Sequence, residues 1–404
     1  MLTEHQNCKD GLPHIKTDKT IVMACSHPYW SSLQVGSQHI ARQFARHGWQ
    51  VHYFSAPISP LHLPKLFAPE VISRFKGSCR NPTLHENGKI HSYIPFSLLA
   101  PDGRPLLRSR PVIHNWYKTM LPPLKQLLAR SNVGRVDLLY IDNLSYHFLL
   151  DVIHYAKSVF RVMDMHERFP GWRGEARRLA KKNATRSDLT IYSAQGLKAY
   201  VEALAPPKSL FVPNGVDFEA FEATKTRLSR PACLSCVPDP ILLYTGMIDA
   251  RLDFDAIRTV AHRLPQISFV FAGPPDQSRI PLDLPPNVYF TGPVCHAELP
   301  SLMQAAVAGL IPFDVNSRLD AIRGIRPLKL FEYMAAGLPV ISARWPEIED
   351  IQSPAWFYDD TGQFVELAYK AVKKEFDPEI ARSFAEQFDW KYAFERLVLN
   401  LDCG

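Results

Sequence analysis

The segment 323–341, RGIRPLKLFEYMAAGLPVI, holds the densest set of chemistry-bearing residues in the chain. Pro327 suits the first helical position, Gly337 the residue after the last turn, and Pro339 prevents continuation, so the spacing predicts a helix over 328–336. Leu328, Phe331, Met334 and Ala335 make its apolar stripe, whereas Lys329 and Glu332, three apart, share a different face in the first turns. A cation and a carboxylate beside a positive helix end suit a nucleoside diphosphate. Backbone N–H groups and Lys329 would meet the pyrophosphate, and Glu332 would accept from ribose hydroxyls. An exposed helix terminus contributes about 0.3–1 kcal/mol per nearby charge, so Lys329 and a flanking Arg323 or Arg326 must add to it. The same spacing also fits a surface ion pair on an ordinary amphipathic helix.

A second set follows a strand-like run. Val159 to Asp164 reads as a buried strand ending in an acid, which is where doubly wound sheets place functional groups. Asp164 and, behind it, His166 are candidates for general-base work, while Asp164 could equally cap the next helix or pair with Arg161 or Arg168. In the loop Cys25 to Trp30, His27 and Tyr29 are candidates on the acceptor side. Asp253-Phe-Asp255 opens a helix and reads as capping. G-x-G-x-x-G, P-loop and H-E-x-x-H patterns are absent, and Cys233-x-x-Cys236 has no second pair, so no metal site is expected.

The elements that must position these residues alternate regularly. Short β-rich runs at 20–25, 50–55, 137–141, 158–163 and 189–192 alternate with helical periodicity, and the cycle repeats with runs at 241–245, 267–272, 288–291, 309–313 and 339–343. Two such sets predict two doubly wound α/β domains whose carboxyl-end surfaces hold ligands. Val212-Pro-Asn-Gly-Val-Asp217 is the natural junction, giving domains over 1–212 and 213–389, with a last helical stretch at 390–404 that can pack back on the first.

Charge divides at the same junction. Residues 1–212 hold 28 Lys+Arg against 14 Asp+Glu (+14), and the rest hold 18 against 26 (−8), which sums to the chain's +6. A basic half predicts an anionic partner such as a lipid surface or a pyrophosphate. Residues 98–130 interleave Arg104, Arg108, Arg110, Lys118 and Lys125 with Leu106, Leu107, Val112, Trp116, Tyr117, Met120 and Leu121, a mixture suited to an anionic bilayer interface. A second basic run spans 173–186. RNA- and DNA-binding signatures are missing, so nucleic acid is not an expected partner. Seven cysteines without regular spacing, a polar first 20 residues and no apolar run of 18 point to a reduced compartment without a signal peptide or membrane span.

Taken jointly, Pro213-Asn-Gly-Val-Asp217, Tyr244-Thr-Gly246, Phe271-Ala-Gly273 and Leu328 through Pro339 resemble the GT-B glycosyltransferases. The order and spacing from Gly292-Pro-Val-Cys-His-Ala-Glu through Gly309-Leu-Ile-Pro-Phe313 to Lys329 is similar to the membrane-associated glucuronosyltransferase of xanthan synthesis and the teichuronic-acid transferases. The resemblance implies that Lys329 contacts the donor diphosphate, Glu332 the ribose, and Met247 lies near the base. It also implies that Gly246, Gly273 and Phe313 line the donor pocket and that Asp164 is the catalytic base. It departs from the large retaining family, which has two glutamates eight apart: Gly324 stands eight before Glu332, and Arg251 lacks the companion lysine.

The expectation is an α/β protein of GT-B type that moves a sugar from a nucleotide-sugar donor, UDP-linked, to a glycan or polyprenyl-diphosphate-linked acceptor in exopolysaccharide or envelope synthesis. It would sit in the cytoplasm, peripheral on the inner face of the membrane, with no cofactor and no metal. A UDP-sugar epimerase on the same fold, or a catalytically silent nucleotide-binding subunit, would share these residues.

Overall fold

A computed structural model describes residues 19–402 apart from 32–33, 66–68, 103, 105, 132 and 169–172. Cys8 and Cys403 lie outside the described residues.

Eight strands form the first sheet: β1 (Thr20–Ala24), β2 (Gln50–Phe54), β3 (Thr83–His85), β4 (Ile90–Tyr93), β5 (Val136–Ile141), β6 (Tyr155–Val162), β7 (Leu189–Tyr192) and β8 (Ser209–Phe211). Their spatial order is β3-β4-β2-β1-β5-β6-β7-β8, all parallel except the β3–β4 edge pair. Six more form the second: β9 (Ile241–Thr245), β10 (Ser268–Ala272), β11 (Val288–Gly292), β12 (Ala308–Ile311), β13 (Val340–Ala343) and β14 (Trp356–Tyr358), in the parallel order β11-β10-β9-β12-β13-β14. The central runs are near-continuous apolar sequence because helices cover both faces. ILLYT of β9 and SFVFA of β10 are buried at every position.

Each sheet reverses direction of growth beside its first strand, β1 between β2 and β5, and β9 between β10 and β12. These switch points leave a crevice at the carboxyl ends of the strands. After β11 comes a short 3-10 turn, His296–Glu298, followed by a helix over Leu299–Gln304. β3, β4 and β14 were not predicted, and β8 was read only as a strand-like run ending at Val212. Three of these four are three-residue edge segments without clear alternation, and all four lie at or next to a sheet edge.

After the second sheet the chain crosses back. Trp390, Phe394 and Leu397 of the Trp390–Asp402 helix join Ile40, Ala41 and Phe44 of the Gly36–Arg46 helix in one apolar cluster on the first domain. Near Trp390, the backbone at Val216 and Asp389 pairs as an isolated parallel bridge, so both crossings lie side by side.

The proposed bilayer-facing segment is only partly exposed. Leu107, Val112, Trp116 and Met120 are core residues, and the Trp116 indole N–H donates to the Ser145 carbonyl at 2.8 Å. Among the described residues, the large exposed apolar side chains there are Leu98, Leu99, Leu106 and Leu121. Short helices at Arg110–Asn115 and Trp116–Thr119 turn the others inward.

Candidate functional site

A cleft of about 310 Å³ lies between the two sheets, at the carboxyl ends of their strands. The first domain contributes Gly36, Asp164 and Ser193; the junction contributes Asn214; the second contributes Gly246, Met247, Arg251, Gly273, His296, Phe313, Lys329 and Glu332. The structure thus brings together Asp164 and every predicted donor-side residue.

Backbone geometry opens the wall of the cleft formed by the second domain. Gly273 has φ +154°, and a Cβ built on it would lie 1.9 Å from the Gly246 carbonyl oxygen. Gly246, at φ +121°, would put a Cβ 3.0 Å from Lys329 Nζ. Only glycine permits the loops after β9 and β10 to touch, and their contact leaves room for the lysine to reach the cleft.

Lys329 and Glu332 come from the first turns of the Leu328–Ala335 helix, whose N-cap is Pro327. Leu330, Phe331, Tyr333 and Met334 are buried, which turns the two charged residues outward to the cavity. The ammonium of Lys329 lies 3.8 Å from the ring centroid of Tyr244 and 5.4 Å from that of Phe313. Burial, then the charge of Arg251, pushes its pKa well below the ordinary lysine range, against the pull of Glu332 and Asp249. An entering anion would reverse that strain.

Arg251 stands beside it, held by Asp249 through contacts of 2.9, 3.1 and 2.7 Å. Burial works against the guanidinium charge, but the hydrogen bonds and charge of Asp249, with Tyr244 and Asp164 behind them, raise its pKa above the usual value. Asp164, from the other domain, therefore sits within the field of Arg251.

The flanking arginines do not act as expected. Arg323 is outside the cleft lining and pairs with Asp320 at 3.5 Å. Arg326 reaches the cleft, but its guanidinium is buried among the rings of Phe211, Phe331 and Phe388 and lies 3.4 Å from Glu347. Arg251 is the arginine whose charge bears on Lys329.

Asp164 is exposed two residues beyond the end of β6. His166 is off the cleft lining. Its ring stacks near Phe160 at 6.1 Å, Nε2 has no hydrogen-bond partner among the described residues, and burial pushes its pKa down to about 4. The cleft lining also includes neither His27 nor Tyr29. Tyr29 is turned into the first domain, where its hydroxyl donates to Glu86 at 2.9 Å and its ring meets Tyr53 edge-on at 5.6 Å. Asp253 caps the Phe254–Arg263 helix by accepting from the Ala256 N–H at 2.8 Å. Among the described residues no group of three or more His, Cys, Asp or Glu side chains is placed to hold a metal ion.

Sequence reasoning missed His296, which lines the cleft with Nε2 3.5 Å from Glu332 Oε1. It also missed the side chain of Asn214, which accepts from Arg161 at 2.9 Å and donates to the Arg326 carbonyl at 3.0 Å, joining the two domains behind the cleft.

Two stretches of the chain match known families. Residues 23–192 match the family described as glucuronosyltransferase GumK, N-terminal domain, and residues 239–372 match glycosyl transferases group 1. A curated relative, the Bacillus subtilis (strain 168) protein TuaH, named for a teichuronic acid biosynthesis glycosyltransferase role, is 31% identical over 198 residues. That alignment covers 46% of this chain and 49% of the relative, so the chain spans about half the length of the relative it matches. Among solved structures, a sucrose-phosphate synthase from Thermosynechococcus elongatus superposes with TM-score 0.64 at 14% identity, covering 94% of this chain and 98% of that one. Anabaena HepE in complex with UDP and glucose gives 0.62 at 13%, covering 96% and 100%. At such identities these structures establish the fold. The two family matches lie one on each side of the cleft, and the chain shares the two-domain fold of these structures.

Proposed function

We propose that the chain transfers a sugar from a nucleoside diphosphate, UDP, to a glycan or polyprenyl-diphosphate-linked acceptor in exopolysaccharide or envelope assembly. The observation that carries this reading is that Asp164 from one domain and Lys329 with Glu332 from the other line a single cleft. Lys329 and Arg251 meet the diphosphate, and Glu332 takes the ribose. Asp164 removes the proton of the acceptor hydroxyl as its oxygen bonds to the anomeric carbon. The bond from that carbon to the diphosphate breaks, and UDP leaves with its charge met by the two cations. HepE binds UDP and UDP-glucose in its own complexes, and the name of TuaH places it in teichuronic acid synthesis, which supports the donor and acceptor classes.

The acceptor side would face an anionic membrane on the cytoplasmic side. Leu106 is 67% exposed and Leu121 53%, and Arg108, Lys118 and Lys125 have no acidic partner within 4.0 Å among the described residues. Each such cation adds about 1 kcal/mol near an anionic bilayer. No described helix is long and apolar enough to cross a membrane. Because Lys329 and Arg251 supply positive charge at the diphosphate, turnover requires no metal or other cofactor and survives chelation with EDTA.

The test is UDP release from a panel of UDP-sugars, together with UDP binding by Lys329→Ala and Glu332→Ala. Both variants are expected to bind UDP at least tenfold more weakly, about the effect of one lost charge-assisted hydrogen bond. Wild-type affinity in both would remove this assignment.

A further inference from the structure

His296 is a titratable cleft residue that this account leaves without a role. It follows β11 by four residues, and its Nε2 is buried with no hydrogen-bond partner among the described residues. A buried polar nitrogen in that state is uncommon in native folds and requires a reason. Glu332 Oε1 is 3.5 Å away, too far for a good hydrogen bond.

The ring cannot easily turn elsewhere. His39 meets it edge-on at 5.6 Å and Phe221 at 6.3 Å. His39 is in turn stacked on Trp390 at 5.2 Å with planes 9° apart. His296 is therefore fixed from three elements, with one nitrogen left beside a carboxylate at the cavity wall. Hydroxyls both donate and accept, so adjacent hydroxyls on one ring satisfy a carboxylate acceptor and an imidazole nitrogen together. A phosphate cannot, because it would repel Glu332. The imide edge of a pyrimidine base also sets a donor beside an acceptor, but the donor reading above gives Glu332 to the ribose.

We infer that His296 and Glu332 form a two-sided reader of a vicinal diol, the ribose of the nucleoside diphosphate, and that His296 is a donor-specificity residue. This rests on the donor reading above, which gives Glu332 to the ribose. Glu332 accepts from one hydroxyl and His296 Nε2 bonds the neighbouring one. The site therefore prefers ribonucleotides to nucleotides lacking either hydroxyl, since a missing hydroxyl leaves a buried polar group unpaired.

The experiment is calorimetric binding of UDP, 2′-deoxy-UDP and 3′-deoxy-UDP to the wild-type chain, His296→Ala and His296→Gln. Wild type should bind UDP about tenfold more tightly than each deoxy analogue. His296→Ala should bind UDP about tenfold more weakly and lose discrimination against one analogue while keeping it against the other, with His296→Gln partly restoring it. The ratio is read within each variant, so a loss of folded protein does not imitate the result. Wild-type ratios in His296→Ala would overturn the inference while leaving the donor reading intact. Failure of wild type to bind UDP at all would overturn both.

Discussion

The carboxylate of Glu347, in the second domain, accepts the backbone N–H of Gly196, in the first, at 2.7 Å. Its other oxygen accepts from the Gln195 N–H at 3.1 Å, and Arg326 Nη1 lies 3.4 Å away. The side chain is fully buried. One carboxylate thus caps a 3-10 turn of the opposite domain and neutralises the arginine behind the cleft. Gly196 allows that approach, because a Cβ there would lie 2.6 Å from the Arg323 carbonyl oxygen. Burial raises the Glu347 pKa, opposed by the two N–H groups and Arg326.

Replacing Glu347 with Ala would strand a buried guanidinium and two backbone donors. Removing one partner of a buried pair costs about 3–5 kcal/mol. The expected result is a fall of that size in unfolding free energy by urea titration, with the domains melting in two steps rather than one. A loss under about 1 kcal/mol would show that this contact is not what joins the domains.

Gly273→Ala tests the donor wall. The added methyl meets the Gly246 carbonyl at 1.9 Å, so the two loops must separate. We expect UDP affinity to drop at least tenfold through displacement of Lys329, and stability to drop by more than the 1–2 kcal/mol that a left-handed backbone alone imposes on alanine. Gly292→Ala is the control, since it has φ +75° but no atom within 4 Å of its Cβ. Equal effects from both substitutions would exclude the steric explanation.

Asp142 makes a pH prediction. It is fully buried behind the cleft, and burial raises its pKa from 3.8 to about 6, against a hydrogen bond from Ser37 and the charge of Arg161. Because the folded pKa exceeds the unfolded one, the folded state holds the extra proton between about pH 4 and 6. Asp142 therefore favours folding at low pH and withdraws that contribution as pH rises through 6. At roughly 1.4 kcal/mol per pKa unit, the swing is about 3 kcal/mol. Asp142→Asn should remove this part of the pH dependence of urea midpoints. An unchanged slope between pH 4 and 6 would place the titration elsewhere.

These residues differ in how visible they were before the fold was known. Pro327 and Gly337 bound the Leu328–Ala335 helix, and three-residue spacing put Lys329 and Glu332 on one face, because helix geometry is local. Asp164 was legible for a similar reason, as the acid just past a buried strand. His27 and Tyr29 were not, since a loop after a strand does not tell which way its side chains turn, and Tyr29 turned to Glu86. Trp116 and Met120 read as surface because six- and four-residue helices carry too few turns to phase an apolar stripe. Glu347 and His296 act only through partners distant in sequence, Gly196 and Glu332, and no local spacing announces such pairs.

The identity of the base is open to a direct comparison of Asp164 and His166. Asp164 is exposed in the cleft opposite Arg251, whereas His166 is off its lining, with its pKa pushed down to about 4. A base with so low a pKa and no path to the acceptor contributes little near neutral pH. Asp164→Asn keeps shape and removes the proton acceptor, so kcat should fall by about 10²–10⁴ with UDP affinity unchanged. His166→Gln should keep kcat within a few-fold of wild type, its effect confined to packing against Phe160. The reverse pattern, with His166→Gln inactive and Asp164→Asn active, would move the base to the histidine. It would require the segment after β6 to turn in the complex so that the ring enters the cleft.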